Sequence, residues 1–349
     1  MNIPELPPAT LRLRIDTAAL ADNWRAMERL SGAATAGAAV KADGYGLGIN
    51  HVMPTLLDAG ARQFFVAHWS EVPGVLAYTG GGDIAVLHGV GNAQEAVFAK
   101  ATGVLPVINS LHQAQVWLEA GGGQCHLMVD TGMNRLGVET GNLGDPVIGQ
   151  LQVDTLLSHL ASADEDTPQN ETQLRAFRQA SQQVEHNALS LANSAGIALG
   201  PDYHFDLTRP GLALYGGVPR GTLAGVVSQV AYVEAAVLQV RNLSPGDKVG
   251  YNAVFTATKP MRAATVSLGY ADGILRSWGT KGAMQHGDRK LPIIGRVSMD
   301  MVILDCTGTD LCAGDFCSLS YDLPQASRTS GLSQYELLTL LGHRFTRVC

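Results

Sequence analysis

From about residue 10 to residue 225, short apolar runs alternate with longer amphipathic stretches. The apolar runs read as strands at 38–41, 64–67, 84–87, 104–108, 126–129, 155–159, 188–191 and 204–207. Helical patterns lie between them, for example at 50–59, 92–101, 111–120 and 170–187. Eight strand–helix units in this length predict a (β/α)8 barrel of the TIM type. The glycine triplet at 121–123 reads as the turn between a helix and the next strand. Beyond about residue 225 the long helical patterns stop. Runs at 227–240, 248–255, 262–268 and 302–304 read as strands, broken by SPGD, KPM, HGD, GTD and AGD turns. One helical pattern returns at 333–341. The expected organisation is an α/β chain with an N-terminal barrel over 10–225 and a mainly β domain over 226–349.

Composition narrows the class. The 349 residues are 46% hydrophobic and 16% charged, which suits a soluble globular protein with a sizeable core. A net charge of −7 with no basic block argues against nucleic acid and against anionic membrane surfaces. No apolar stretch approaches the length of a membrane span, and the start, MNIPELPPATLRLRID, has no secretory h-region. The five cysteines, without CxxC pairing, fit neither a disulfide framework nor a zinc cluster; reduced thiols in a cytoplasm are the simplest account, and no metal site is expected.

Lys41, in AAVKADGYGLG, ends the first apolar run just before a glycine-rich turn. A lysine in a buried strand needs a partner, a lowered pKa or a covalent bond. An amine partly stripped of water stays neutral more easily and can form a Schiff base with an aldehyde. Tyr45, four residues on, could reach an anionic group near that amine. A lysine beside a phosphate-holding loop suggests pyridoxal 5′-phosphate (PLP). A strand-end lysine can equally run its stem out to solvent. In a barrel of this type catalytic groups gather where strands end, and a phosphate site often forms after the last two strands. Ser194, in LANSAG, follows the seventh run; Arg209, Gly211 and Leu212, in DLTRPGLALYGG, follow the eighth. A serine hydroxyl with backbone N–H groups freed by Gly211 could hold a phosphate. Taken singly, NSAG reads as an ordinary helix N-cap.

The strings AAVKADGYGLG, MVDTGMNRLG, LLSHLASAD, LANSAG, RPGLALYG, VGYNAVFTA, SLGYADG and IGRVSMDM occur here in the order found in alanine racemases. The chain resembles that family, fold-type-III PLP enzymes, from about Leu13 to the C-terminal region. The resemblance implies that Lys41 carries PLP, that Tyr45, Ser194, Gly211 and Leu212 hold its phosphate, and that Arg209 faces the pyridine nitrogen. An arginine is always charged and lends no proton, so the ring would stay unprotonated and a weaker electron sink. It further implies two acid–base groups on opposite faces of the α-carbon, Lys41 for the D-enantiomer and Tyr251 for the L-enantiomer. A tyrosine titrates near pH 10 and needs help to act as a base; His159 matches the histidine that hydrogen-bonds it. Arg135 matches an arginine near the substrate carboxylate, Met299 a residue whose backbone N–H contacts that carboxylate, and Tyr270 a tyrosine at the entrance. Asp164, Arg276 and Arg296 match polar groups of the access channel. Because Tyr251, Tyr270 and Met299 fall in the β domain, the implied assembly is a head-to-tail homodimer with shared active sites.

Two departures stand out. Many members carry a lysine two residues before the DTGM aspartate, carbamylated in some; Met128 is there instead, so Arg135 would need another group, such as a bound anion, to orient it. His343, in LLGHRFTRVC, stands where some members have a phosphate-binding tyrosine. The implied activity is racemisation of alanine, supplying D-alanine to a cell wall. Serine or a broader set of small amino acids is the nearest alternative, since pocket lining separates such substrates by only a few kcal/mol. A PLP decarboxylase of similar architecture would meet the pyridine nitrogen with a carboxylate, and a PLP-holding barrel would lack a β domain with a second acid–base tyrosine.

Overall fold

The computed structural model describes residue 5 and residues 7–349. Two compact units divide the chain: Thr17–Ser228, and a second that joins the stretch ending at Asp16 to Gln229–Cys349. The first strand, β1 (Leu11–Ile15), groups with Gln229–Cys349 in this division and not with Thr17–Ser228. Its LRLRI pattern explains why. Leu11, Leu13 and Ile15 are buried while the arginines between them are partly exposed, the alternation of a half-covered sheet and not of a barrel strand. Burying three such side chains contributes roughly 1.5–3 kcal/mol each.

In the barrel unit, β2 (Thr35–Ala36) and β3 (Ala38–Ala39) flank Gly37 on the first strand run. Parallel pairing continues through β4 (Phe64–Val66), β5 (Ile84–Val86), β6 (Leu105–Ile108) and β7 (Gln124–Asp130). The short β8 (Val138–Glu139) lies beside β7, and β9 (Gln152–Leu157) and β10 (Ala188–Ser190) extend the path to seven strands. The eighth, β11 (Leu207–Thr208), pairs in parallel with β2. On its other side Asp206 N–H and Arg209 N–H donate to the Leu189 and Ala192 carbonyls at 3.1 and 2.8 Å, so backbone bonds run all the way round. The eighth strand sits three residues later than expected at its start, because the chain at Pro201–Tyr203 winds into a 3-10 turn.

The intervening helices start where polar caps stand. Asn92, Ser110 and Thr167 accept from backbone N–H groups at the first turns of Ala93–Thr102, Leu111–Glu119 and Pro168–Ser181. The last of these stops well short of the expected residue 187. These helices pack Ala96, Trp117 and Phe177 against the outward faces of the strands, where Leu127, Val129 and Leu156 are buried.

In the β unit the long β12 (Ala231–Leu243) is the hub. It pairs antiparallel with β1, with β15 (Met261–Val266) and with β19 (Phe316–Leu319). β18 (Val302–Asp305) flanks β15, the hairpin β16 (Ala283–His286) and β17 (Arg289–Pro292) extends from β19, and β20 (Thr346–Val348) pairs in parallel with β1. The run expected as one strand over 248–255 is instead a hairpin. β13 (Lys248–Val249) and β14 (Phe255–Thr256) pair across a turn at Tyr251–Ala253. Gly250, Asn252 and Ala253 all have positive φ there, which ends any strand and leaves Tyr251 on the tip. The helix expected at 333–341 is Gln334–Thr339, capped by Ser333.

Candidate active site

Backbone geometry marks the first element of the site. After Val40, whose N–H still bonds the Phe65 carbonyl at 2.9 Å, the chain leaves the sheet at Lys41. Ala42, Asp43, Gly44 and Tyr45 then all take left-handed conformations, with φ of 54°, 55°, 62° and 55°. Left-handed backbone costs an ordinary residue roughly 1–2 kcal/mol, so the three non-glycine residues of this run, Ala42, Asp43 and Tyr45, store strain that surrounding contacts must hold. Such strain concentrates at functional sites. Asp43 Oδ1 accepts from the Ile49 N–H at 2.8 Å, and the Ala42 and Asp43 carbonyls accept from Gly46 and Gly48.

The turn directs Tyr45 inward. Its ring stacks on Tyr215 with centroids 4.5 Å apart, and Tyr215 Oη donates to the Ala39 carbonyl at 2.8 Å. Tyr45 Oη lies so close to Gly211 that a Cβ there would sit 2.3 Å from it. Gly211 has no positive φ; it is required by this close approach. Ser194 Oγ accepts from the Gly211 and Ala213 N–H groups at 3.0 and 3.2 Å, and Leu212 is buried at the start of the 3-10 turn Leu212–Tyr215. Asn193, not Ser194, caps the short helix Ser194–Ile197, which leaves the serine hydroxyl for the Gly211 turn. Hydroxyl and N–H donors are thus gathered without a full charge, the composition of an anion cradle.

Arg209 is buried and has no carboxylate in ion-pair reach among the described residues. Its guanidinium donates to Ser190 Oγ and, at 2.6 Å, to the Ser158 carbonyl, and burial holds its pKa down to about 10. Lys41 is partly buried; desolvation lowers its pKa, the Arg135 charge lowers it further, Glu71 opposes, and Arg209 adds to the lowering. His159, just past β9, is pushed down to about 3, first by burial and then by Arg209, Arg135 and Lys41, so it is neutral. Lys41, Arg135, Arg209, Ser194, Gly211 and His159 all follow the carboxyl ends of parallel strands, where this architecture concentrates chemistry. Arg135, Arg209 and Glu71 all act on the Lys41 amine, and this surplus of positive charge suits an anionic ligand.

Arg135 is exposed between β7 and β8 beside a cavity of about 580 Å³, with no hydrogen-bond or ion-pair partner among the described residues. Met128, buried in β7, offers it nothing polar. Asp164 is exposed. Among the described residues no group of three or more His, Cys, Asp or Glu could hold a metal ion, and no disulfide forms. No helix among them is long and apolar enough to cross a membrane.

The other sequence-predicted residues gather in the β unit. Tyr251 is 68% exposed and, with Arg296, Ser298 and Met301, lines a cavity of about 340 Å³. Tyr270 opens a 3-10 turn whose N–H bonds the Ser298 carbonyl at 3.0 Å, and Ala271 N–H reaches the Met299 carbonyl at 3.0 Å. Met299 itself is 52% exposed. Buried Asp272 ties this turn together, accepting from Gly269 N–H and from Arg344, whose guanidinium also pairs with Asp300 at 2.6 Å. The Arg276 guanidinium lies over the Tyr270 ring at 5.4 Å. His343 is exposed, with no hydrogen-bond partner among the described residues. Sequence reasoning missed Glu71, Tyr215 and Ser190. Ser190 lies inside the apolar run at 188–191 and Tyr215 just past the Gly211 turn, and no residue-type pattern announces the backbone contacts of Glu71.

The sequence matches the family Alanine racemase, N-terminal domain over residues 15–219 and Alanine racemase, C-terminal domain over residues 230–349. The chain belongs to the alanine racemase family. It is 42% identical to the biosynthetic alanine racemase of Agrobacterium fabrum over 97% of this chain and 93% of that one. It is 40% identical to the alanine racemase of Rhizobium meliloti over 99% and 98%. The crystal structure of alanine racemase from Bartonella henselae with covalently bound pyridoxal phosphate superposes with a TM-score of 0.91 at 36% identity, covering 98% of this chain and 99% of that one. Barrel and β unit are therefore those of the alanine racemase fold.

Proposed function

We infer that this chain is a PLP-dependent racemase that interconverts L- and D-alanine. The observation that carries the reading is the set of groups at the strand ends: a lysine amine with lowered pKa, a buried arginine without a carboxylate, and a hydroxyl-and-amide cradle closed by Gly211 against Tyr45. That donor set fits PLP. Lys41 would hold it covalently, Tyr45, Ser194, Gly211 and Leu212 would hold its phosphate, and Arg209 would face its ring nitrogen. When bound, the cofactor supplies the electron withdrawal that makes the substrate α-proton acidic.

The chain's own residues then divide the proton work. Lys41 Nζ takes or returns the α-proton on the face used for D-alanine. Tyr251 Oη does so on the opposite face, used for L-alanine. Neutral His159 accepts or donates a hydrogen bond at Tyr251 Oη, helping the phenol move its proton near ambient pH. Arg135 orients the substrate carboxylate, the Met299 N–H donates to it, and Tyr270 narrows the entrance. In a homodimer, the β unit of one subunit supplies Tyr251, Met299 and Tyr270 to the barrel of the other; the exposure of Tyr251 and Met299 supports this assignment. The proposed role is a cytoplasmic one, feeding D-alanine to cell-wall synthesis, and it follows from the proposed activity alone.

Purified protein supplied with PLP should be yellow, and borohydride should fix the cofactor on Lys41, read by peptide mass. Lys41→Ala should abolish that attachment and racemisation. Attachment at a different lysine would end the assignment. Parallel assays of L-serine and other small amino acids for optical inversion separate the alanine reading from the broader one.

A further inference from the structure

The geometry assigns to Glu71 the part of a positioning residue for Lys41: its carboxylate clamps the left-handed turn after β3 to the loop after β4 and so fixes where the lysine side chain begins. Glu71 Oε1 accepts from the Ala42 N–H at 2.5 Å. Its Oε2 accepts from the Ala67 and His68 N–H groups at 2.7 and 3.0 Å. The N–H of Ala42 can join neither the strand ladder nor an ordinary helix, because the chain turns left-handed at that residue. A carboxylate from the next strand's loop satisfies it. All three partners are donors, so only a group with two acceptor oxygens serves; an amide would turn its NH2 toward N–H groups.

The same carboxylate acts through space. Around Lys41 stand Arg135 from the loop after β7, Arg209 after β11, His159 after β9 and His88 after β5, whose ring meets that of His68 edge-on at 4.1 Å. Glu71 is the one carboxylate among the groups acting on the amine, and it alone raises the Lys41 pKa. Position and charge are thus set by one side chain that does not itself need to touch substrate. The inference rests on the reading of Lys41 as the cofactor lysine, and its test separates the two.

In the cofactor-free full chain, the pH dependence of Lys41 reaction with trinitrobenzenesulfonate, followed by peptide mass, reports the amine directly. Glu71→Gln should move that titration to lower pH. With PLP present, kcat for L-alanine should fall about tenfold with a smaller change in KM, inside the hundredfold that a small misplacement can cost. Adding Ala42→Gly, which makes left-handed backbone easy, should restore part of kcat but leave the titration at its lowered position. Should Glu71→Gln not fold, Glu71→Asp keeps the charge but is one methylene short. It should lose kcat while moving the titration less. An unchanged titration and kcat, or a loss of thermal stability alone with no rescue by glycine, overturns the assignment. If the parent protein never takes PLP on Lys41, the functional reading fails, while the titration still decides the role of Glu71.

Discussion

Tyr251 shows how far a single side chain can carry a mechanism. Its ring is mostly exposed on the tip of a hairpin, an unusual place for a large aromatic side chain unless something covers it. Tyr251→Phe keeps the ring and removes the proton-bearing oxygen. Exchange of the α-proton with D2O should slow by about a hundredfold or more from L-alanine, in the range of a lost general base, and much less from D-alanine. Equal loss from both enantiomers with full PLP occupancy would contradict the two-face assignment. His159 and His126 carry a separate consequence. Burial first of all holds them at about 3 and about 4, below the ordinary 6.5, so both are neutral when folded. The unfolded chain takes up protons below that ordinary value, so stability is full above about pH 6.5 and falls as pH drops toward the folded values. The slope is about 1.4 kcal/mol per unit for each histidine. Denaturant titrations at pH 7.5 and 5.5 should show the loss, and His126→Asn should make it shallower.

At the level of elements, the decisive piece is the Gly211 turn against Tyr45. Gly211→Ala would place a methyl carbon 2.3 Å from the Tyr45 hydroxyl. Overpacking of that kind costs about 1–3 kcal/mol. It should also displace the tyrosine from the proposed phosphate position, so PLP affinity, read by fluorescence titration, should fall at least about tenfold; unchanged affinity would remove Tyr45 and Gly211 from the cradle. The sequence made the barrel strands legible because each is a short apolar run, and it placed Lys41, Ser194, Arg209 and His159 at strand ends. It hid the left-handed turn, since KADGY contains a single glycine, and three residues there adopt a conformation their own chemistry disfavours. The Tyr251 hairpin reads as one strand because Gly250 is the only glycine between its apolar residues, while Asn252 and Ala253 take positive φ that the residue types around them do not announce. Glu71 was invisible because its three acceptor contacts come from backbone N–H groups, one of them 29 positions away, which leave no residue-type pattern. β16, β17 and β20 are short, with polar or charged residues among few apolar ones, and β19 is apolar but only four residues long, so none of them stands out as a strand run.

For the whole molecule, the account holds that the amine and the phenol flanking one substrate come from different chains. The barrel unit holds Lys41 and the proposed cofactor cradle; the β unit holds an exposed Tyr251 and Met299. Dilution below the dimer dissociation constant should therefore lower specific activity while PLP stays bound to Lys41, measurable by activity and sedimentation on the same samples. The most direct measurement is complementation between Lys41→Ala and Tyr251→Phe, two variants each inactive toward L-alanine alone. After equal amounts are dissociated and reassembled together, half the dimers are mixed, and each mixed dimer has one site with both groups intact. About one quarter of the parent activity should return. No recovery, with mixed dimers demonstrated by mass, would place both groups in one chain and contradict the account.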